Sequence, residues 1–154
     1  MIAIHRSVGF ALALLLFGQP ASAEEASPRD QAERLFLEYQ RQSQEFDPDV
    51  ADLYVDRARI VNARKYPGDL PGRSLELTGF QYKDKIRQLM PIAKARGDFS
   101  TYSDVSYSEE GERIRIQCTR FSALKKYSSP YSMLVGPDER GDWRIFEELS
   151  ESRL

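Results

Sequence analysis

The stretch ERIRIQCTRFSALKK, Glu112 to Lys126, decides the fold. In an extended chain Ile114, Ile116, Cys118, Arg120, Ser122 and Leu124 take one face, and Arg113, Arg115, Gln117, Thr119, Phe121 and Ala123 take the other. A period of two marks a strand, and the first face, mostly apolar or small, points at a core. Arg120 is therefore a charge on an otherwise buried face, where it needs a partner or a ligand.

Working outward, Phe99 to Ser108 reads as the strand before it, with a turn at Glu109-Glu110-Gly111. After it come a break at Ser128-Ser129-Pro130, a strand from Tyr131 to Val135, a turn from Pro137 to Gly141, and a last strand from Asp142 to Leu149. The four form an antiparallel meander. In the last strand Trp143, Ile145, Glu147 and Leu149 share a face, which makes Glu147 a second charge turned inward. Two readings of Arg120 and Glu147 stand side by side: an internal ion pair, or polar groups offered to a ligand.

Upstream, Ser27, Pro28 and Asp30 open a helix whose stripe is Ala32, Leu35, Phe36 and Tyr39, ending near Phe46. Asp47-Pro48 starts a short second helix with Val50, Leu53 and Tyr54. Ala58 to Lys65 alternates as a strand, and Ser74 to Leu77 is a shorter one. Thr78 and Gln81 cap a third helix with an inward stripe of Ile86, Leu89, Met90 and Ala93 and a stop at Gly97; Pro91 inside it predicts a kink or an early end. The order predicts one α+β domain, its helices packed on one face of a curved sheet.

Met1 to Ala23 has the pattern of a secretory signal peptide: His5 and Arg6, the apolar run Val8 to Phe17, then Ala21-Ser22-Ala23. The expectation is export to the periplasm or beyond, with a single domain from Glu24 to Leu154 and no membrane attachment after cleavage. The formal net charge of the whole chain is −2, and the basic residues are dispersed, so no nucleic-acid partner is expected. His5, the only histidine, leaves with the signal peptide, which excludes histidine-dependent triads and histidine-ligated metals. No metal and no cofactor is expected. Cys118, the single cysteine, cannot form an internal disulfide and reads as a buried thiol.

Three motifs carry a resemblance: Phe46-Asp47-Pro48, Tyr54-Val55-Asp56-Arg57-Ala58, and Gly141-Asp142-Trp143-Arg144-Ile145. In this order and spacing the chain resembles the nuclear transport factor 2-like superfamily, which includes ketosteroid isomerase-like and polyketide cyclase-like proteins. The resemblance implies a cone-shaped α+β barrel: a curved, mostly antiparallel sheet wrapped around three helices from the N-terminal half, with a pocket open at one end. It also implies that Tyr39 stands at the position of the family's oxyanion tyrosine, that Asn62 replaces its catalytic aspartate, and that Asp104 lies near its second acid. An amide is not a useful base near neutral pH, so that proton-abstracting group is lost.

The candidate ligand-binding residues are thus Tyr39, Asn62, Arg120, Trp143 and Glu147. Asp56 and Asp104 are the carboxylates offered for catalysis, though an aspartate at a helix-strand junction such as Asp56 more often caps it. Three functions fit. The first is a pocket protein for a small, partly apolar molecule. The second is an isomerase- or dehydratase-like enzyme with an altered acid/base set. The third is an interaction module, such as a homodimer, using an outer sheet face with Phe121 and Phe146.

Overall fold

The computed structural model describes residues 26–68 and 70–153; the expected signal peptide, Met1 to Ala23, lies outside them. Helix α1, Pro28–Glu45, is closed at one end by a reciprocal capping box of Ser27 and Asp30 and at the other by Phe46 in the left-handed conformation. Ala32, Leu35, Phe36 and Tyr39 are all buried, as their spacing predicts. Burying a leucine or phenylalanine is worth about 1.5–3 kcal/mol, so this stripe holds α1 against the sheet. A 3₁₀ turn, Pro48–Leu53, follows and leads straight into strand β1, Tyr54–Lys65.

The remaining elements are β2 (Arg73–Thr78), helix α2 (Gly79–Arg96), β3 (Ser100–Glu110), β4 (Arg113–Ser122), β5 (Tyr127–Pro137) and β6 (Trp143–Arg153). The sheet runs β2-β1-β6-β5-β4-β3, antiparallel at every seam except the parallel pairing of β1 with β6. It is an open, curved α+β sheet with the helices on its concave side. Ile114, Ile116 and Cys118 of β4 point into the core beside Met133 and Val135 of β5, on the face predicted from their alternation.

Three local expectations are corrected. The strand beginning at Glu112 does not reach Lys126: β4 ends at Ser122, and a turn closed by Lys126 N–H on the Ser122 carbonyl (2.9 Å) places Lys126 at a φ of 58°. Ser128-Ser129-Pro130 is no break but the start of β5. There β5 is paired only with β4, because its pairing with β6 begins at Tyr131, and a proline is tolerated on a strand with one free side. Nor does Pro91 end α2, which continues to Arg96 and is capped by Gly97.

The fourth correction decides the site. Leu134 stands opposite Glu147 but Val135 opposite Ile145, so Phe146 is an extra residue, a β-bulge in β6. Ile145 (0 % exposed) and Glu148 (3 %) consequently both face inward, and Glu147 is turned to the convex side. Phe146 also goes outward, yet it is buried beneath the Arg113 and Arg57 guanidiniums, 3.8 and 5.2 Å from its ring centroid.

Helix α2 is attached differently from α1. Its first residue, Gly79, is pressed against β1 so closely that a Cβ there would lie 1.9 Å from the Val55 carbonyl oxygen. Beyond that point its apolar stripe is only partly covered: Ile86, Met90 and Ala93 are half-buried and Leu89 is exposed. The stripe faces a cavity instead of packed side chains.

Candidate functional site

Between α2 and the concave sheet lies an open cavity of about 460 Å³. Its walls are apolar, with Ile86, Leu89 and Met90 of α2 facing Ile60 of β1 and Leu77 of β2. Its inner end is polar, formed by Tyr39, Tyr82, Tyr102, Arg120 and Glu148. A largely apolar cleft with a few convergent polar groups is the usual form of a small-molecule site.

Glu148 is the centre of that polar end. The bulge at Phe146 delivers its carboxylate to the interior, and tyrosines from several elements surround it. The Tyr54 hydroxyl, from the start of β1, donates to Oε2, and the Tyr82 hydroxyl, from α2, donates to Oε1 at 3.4 Å. Behind them Tyr131 donates to the Tyr39 hydroxyl at 3.0 Å, and the Tyr39 and Tyr102 hydroxyls share a hydrogen bond of 3.3 Å. Burial pushes the Glu148 carboxyl above its ordinary value, while the Tyr54, Tyr131 and Tyr82 hydroxyls and the Arg120 charge pull the other way without cancelling it. The same burial, aided by the nearby carboxylate, holds Tyr39, Tyr54, Tyr82 and Tyr131 far above the usual phenol range, so they serve as neutral donors.

Of the residues singled out from the sequence, three meet in this cavity: Tyr39, Asn62 and Arg120. Asn62 is occupied within the sheet, its Nδ2 donating to Ser150 Oγ at 3.0 Å and its Oδ1 accepting from Ser152 Oγ at 2.7 Å. Arg120 donates through Nη2 to the Glu151 carbonyl and, at 3.5 Å, to the Tyr127 hydroxyl; its Nε is buried without a partner.

The others lie elsewhere. Trp143 packs half-buried against the core opposite Pro137, away from the cavity-lining residues. Glu147 is on the convex face, ion-paired with Arg115 at 2.7 Å and Arg59 at 3.2 Å, so the internal pair with Arg120 does not form. Asp56 is exposed and bound to Lys83 Nζ at 2.8 Å. Asp104 is exposed in a bulge of β3 at a φ of 54°, accepting from Ser103 Oγ at 3.0 Å. Neither aspartate reaches Tyr39 or the cavity.

Glu148 was not among the sequence candidates. The signal that marks it is the adjacent pair Glu147-Glu148 inside a strand, since one of two consecutive strand residues faces inward in either register. Choosing between them needs the position of the bulge.

An open curved sheet holding two helices over a cavity on its concave side is the nuclear transport factor 2-like fold, and this chain has it. Among solved structures it is similar to an NTF2-like protein of unknown function from Shewanella oneidensis, at 12 % identity and a TM-score of 0.61, over 82 % of this chain and 100 % of that one. It is also similar to the yeast UBP3-associated protein BRE5 (15 %, TM-score 0.59, 80 % and 95 % covered). A dehydratase candidate of the NTF2-like family from Streptomyces avermitilis matches at 14 % identity and a TM-score of 0.54, over 80 % and 95 %. No family model and no curated protein matches the chain. At such identities the likeness is one of fold, and function rests on the site.

Proposed function

We propose that the protein is exported and binds a small, partly apolar molecule in the cavity beneath α2, the apolar body along Ile86, Leu89 and Met90 and the polar end toward Glu148 and its tyrosines. One observation carries the reading: α2 keeps its apolar stripe partly uncovered along a cavity whose inner end holds the buried Glu148 carboxyl and the half-buried Arg120. Leaving such a stripe unburied forgoes stabilisation that an occupant would restore. Export is supported by the pattern of Met1 to Ala23.

Glu148 favours a second reading, acid/base catalysis of the isomerase or dehydratase kind. A carboxyl held above its ordinary value in a cavity lined by phenol donors is suited to moving a proton, and the dehydratase candidate among the fold relatives is in keeping with it. The interaction reading has less support, because Phe146 is covered and the convex face carries the Arg59-Glu147-Arg115 network.

Native mass spectrometry of the protein purified from its own host tests all three. A stoichiometric small-molecule excess that disappears in Glu148→Ala supports the pocket. A recovered pair of substrate and product points to catalysis. A doubled mass with no excess favours the interaction module and removes the pocket reading.

A further inference from the structure

Arg120 is the group in the cavity that the fold leaves least satisfied. It occupies the concave face of β4 between Cys118 and Ser122, and among the described residues its partners are one carbonyl and one phenol, neither of them a carboxylate. Its Nε is buried without an acceptor. Opposite it in register on β5, Ser129 is 3 % exposed and its Oγ is unpartnered as well. Arg120 nonetheless lines the cavity, so a guanidinium without a carboxylate partner is presented to whatever enters it, whereas Ser129 lies behind the cavity lining.

The charges around the neighbouring carboxylate are few. Glu148 is faced by Tyr39 of α1, Tyr54 of β1, Tyr82 of α2, Tyr102 of β3, Tyr131 of β5 and Arg120 of β4. Arg120 is the one permanent charge among them. At the cavity mouth Arg64 and Lys85 stand against Asp98, so the entrance also favours an anion.

We propose that Arg120 receives the acidic head of the ligand, a carboxylate on an apolar body, and that Glu148 takes up a proton from solvent when this anion enters. The proposal rests on the pocket reading above. With Glu148 ionised, the inner cavity is electrically balanced by Arg120, and a second carboxylate would leave two anions against one cation away from water. Neutralisation falls on the group that burial already disposes to hold a proton. The step is a protonation alone: one solvent proton joins one Glu148 oxygen, and the tyrosine hydroxyl on the other oxygen, Tyr54 on Oε2 or Tyr82 on Oε1, continues to donate.

The test is isothermal titration calorimetry of the purified protein with octanoate, 1-octanol and octylamine, which share a tail and differ in the head. Each titration is run at about pH 8, well above the ordinary glutamate range, in two buffers of different ionisation heat. Octanoate should bind on the order of tenfold more tightly than octanol, with net proton uptake, and octylamine should bind least. Arg120→Met should erase the preference for the acid, and Glu148→Gln should bind octanoate without taking up a proton. Equal affinity for octanoate and octanol, or octanoate binding without proton uptake, overturns the proposal while leaving the pocket standing. Binding of none of the three removes the pocket reading too. Because head-group preference and proton count are read on the unaltered protein, a variant that fails to fold does not decide the matter.

Discussion

The Tyr54 hydroxyl donates to the buried carboxylate of Glu148, although in the pairing of β1 with β6 Tyr54 stands opposite Ile145 and Glu148 opposite Ile60. The bond thus runs diagonally between two parallel strands, from the entrance of β1 to the far side of the bulge. It ties the 3₁₀ turn, β1 and β6 together at the cavity floor. Tyr54→Phe removes a charge-assisted bond to a group that is only 3 % exposed, so the variant should lose about 1.5–3 kcal/mol in urea unfolding at neutral pH. Unchanged stability would mean that the bond is not made.

The elevated Glu148 carboxyl has a definite consequence for pH. A group that binds its proton more tightly folded than unfolded supports the fold below its unfolded value and withdraws support as pH rises through its folded value. The surface carboxylates Asp30, Glu38, Asp56 and Glu110 act oppositely, their values lowered first by hydrogen bonds from Ser27, Arg41, Lys83 and Arg115 respectively. The difference between wild type and Glu148→Gln isolates the buried group. Relative to wild type, the glutamine variant should gain stability as pH rises from the ordinary glutamate range toward neutrality. A difference that is flat with pH would show that Glu148 titrates normally.

Glu147 and Glu148 should respond to the same substitution to very different extents. Glu147 belongs to a network open to solvent on one side, with Arg59 half-exposed, so Glu147→Ala should cost no more than about 1 kcal/mol. Glu148→Ala leaves Tyr54 and Tyr82 without their acceptor and opens a cavity, and should cost about 2–4 kcal/mol. Chemical denaturation of the two variants in parallel checks the register of β6, and the reverse ranking would contradict the bulge.

At Gly79 the close approach of α2 to β1 should override helix propensity. Alanine normally gains about 0.5–1 kcal/mol over glycine inside a helix. Here the added Cβ would meet the Val55 carbonyl oxygen at 1.9 Å and the Ala58 Cβ at 3.0 Å, so the backbone has to move. Gly79→Ala should therefore lower stability by about 1–3 kcal/mol in a thermal or urea melt. A more stable variant would show that α2 sits further from the sheet.

Leu89 separates ligand binding from folding. It is 54 % exposed, so Leu89→Ser should shift unfolding by no more than about 0.5 kcal/mol. Because it lines the cavity, the same change should weaken binding of an apolar-bodied ligand by about 1 kcal/mol, read by the titrations described above. Intact affinity would place the ligand off the α2 wall.

Cys118 has a simpler expectation. Burial pushes its thiol up to about 11, and it lies on the core face of β4. A thiol reagent should modify it slowly in the native protein near neutral pH and quickly once urea unfolds the chain; rapid native labelling would refute its burial.

Much of the fold was legible because its determinants are local. Capping boxes at Ser27 and Thr78, the stripe Ala32-Leu35-Phe36-Tyr39 and the alternation from Ile114 to Cys118 each declare an element within a few residues. The site was legible only in part. Tyr39, Asn62 and Arg120 follow from regular periods and do meet at the cavity, whereas Asp104 and Glu147 lie next to bulges, where one residue reverses the face.

The sequence by itself determined the order of helices and strands, though not all their ends, and that α1 and β4 turn apolar faces to a common core. These depend on spacing within each segment. Only the tertiary structure decided that Phe146 is looped out of register, that Glu148 and not Glu147 enters the cavity, and that tyrosines from five separate elements converge there. A bulge is set by competition between whole strands for hydrogen-bond partners and burial, and no single segment contains both sides of that competition.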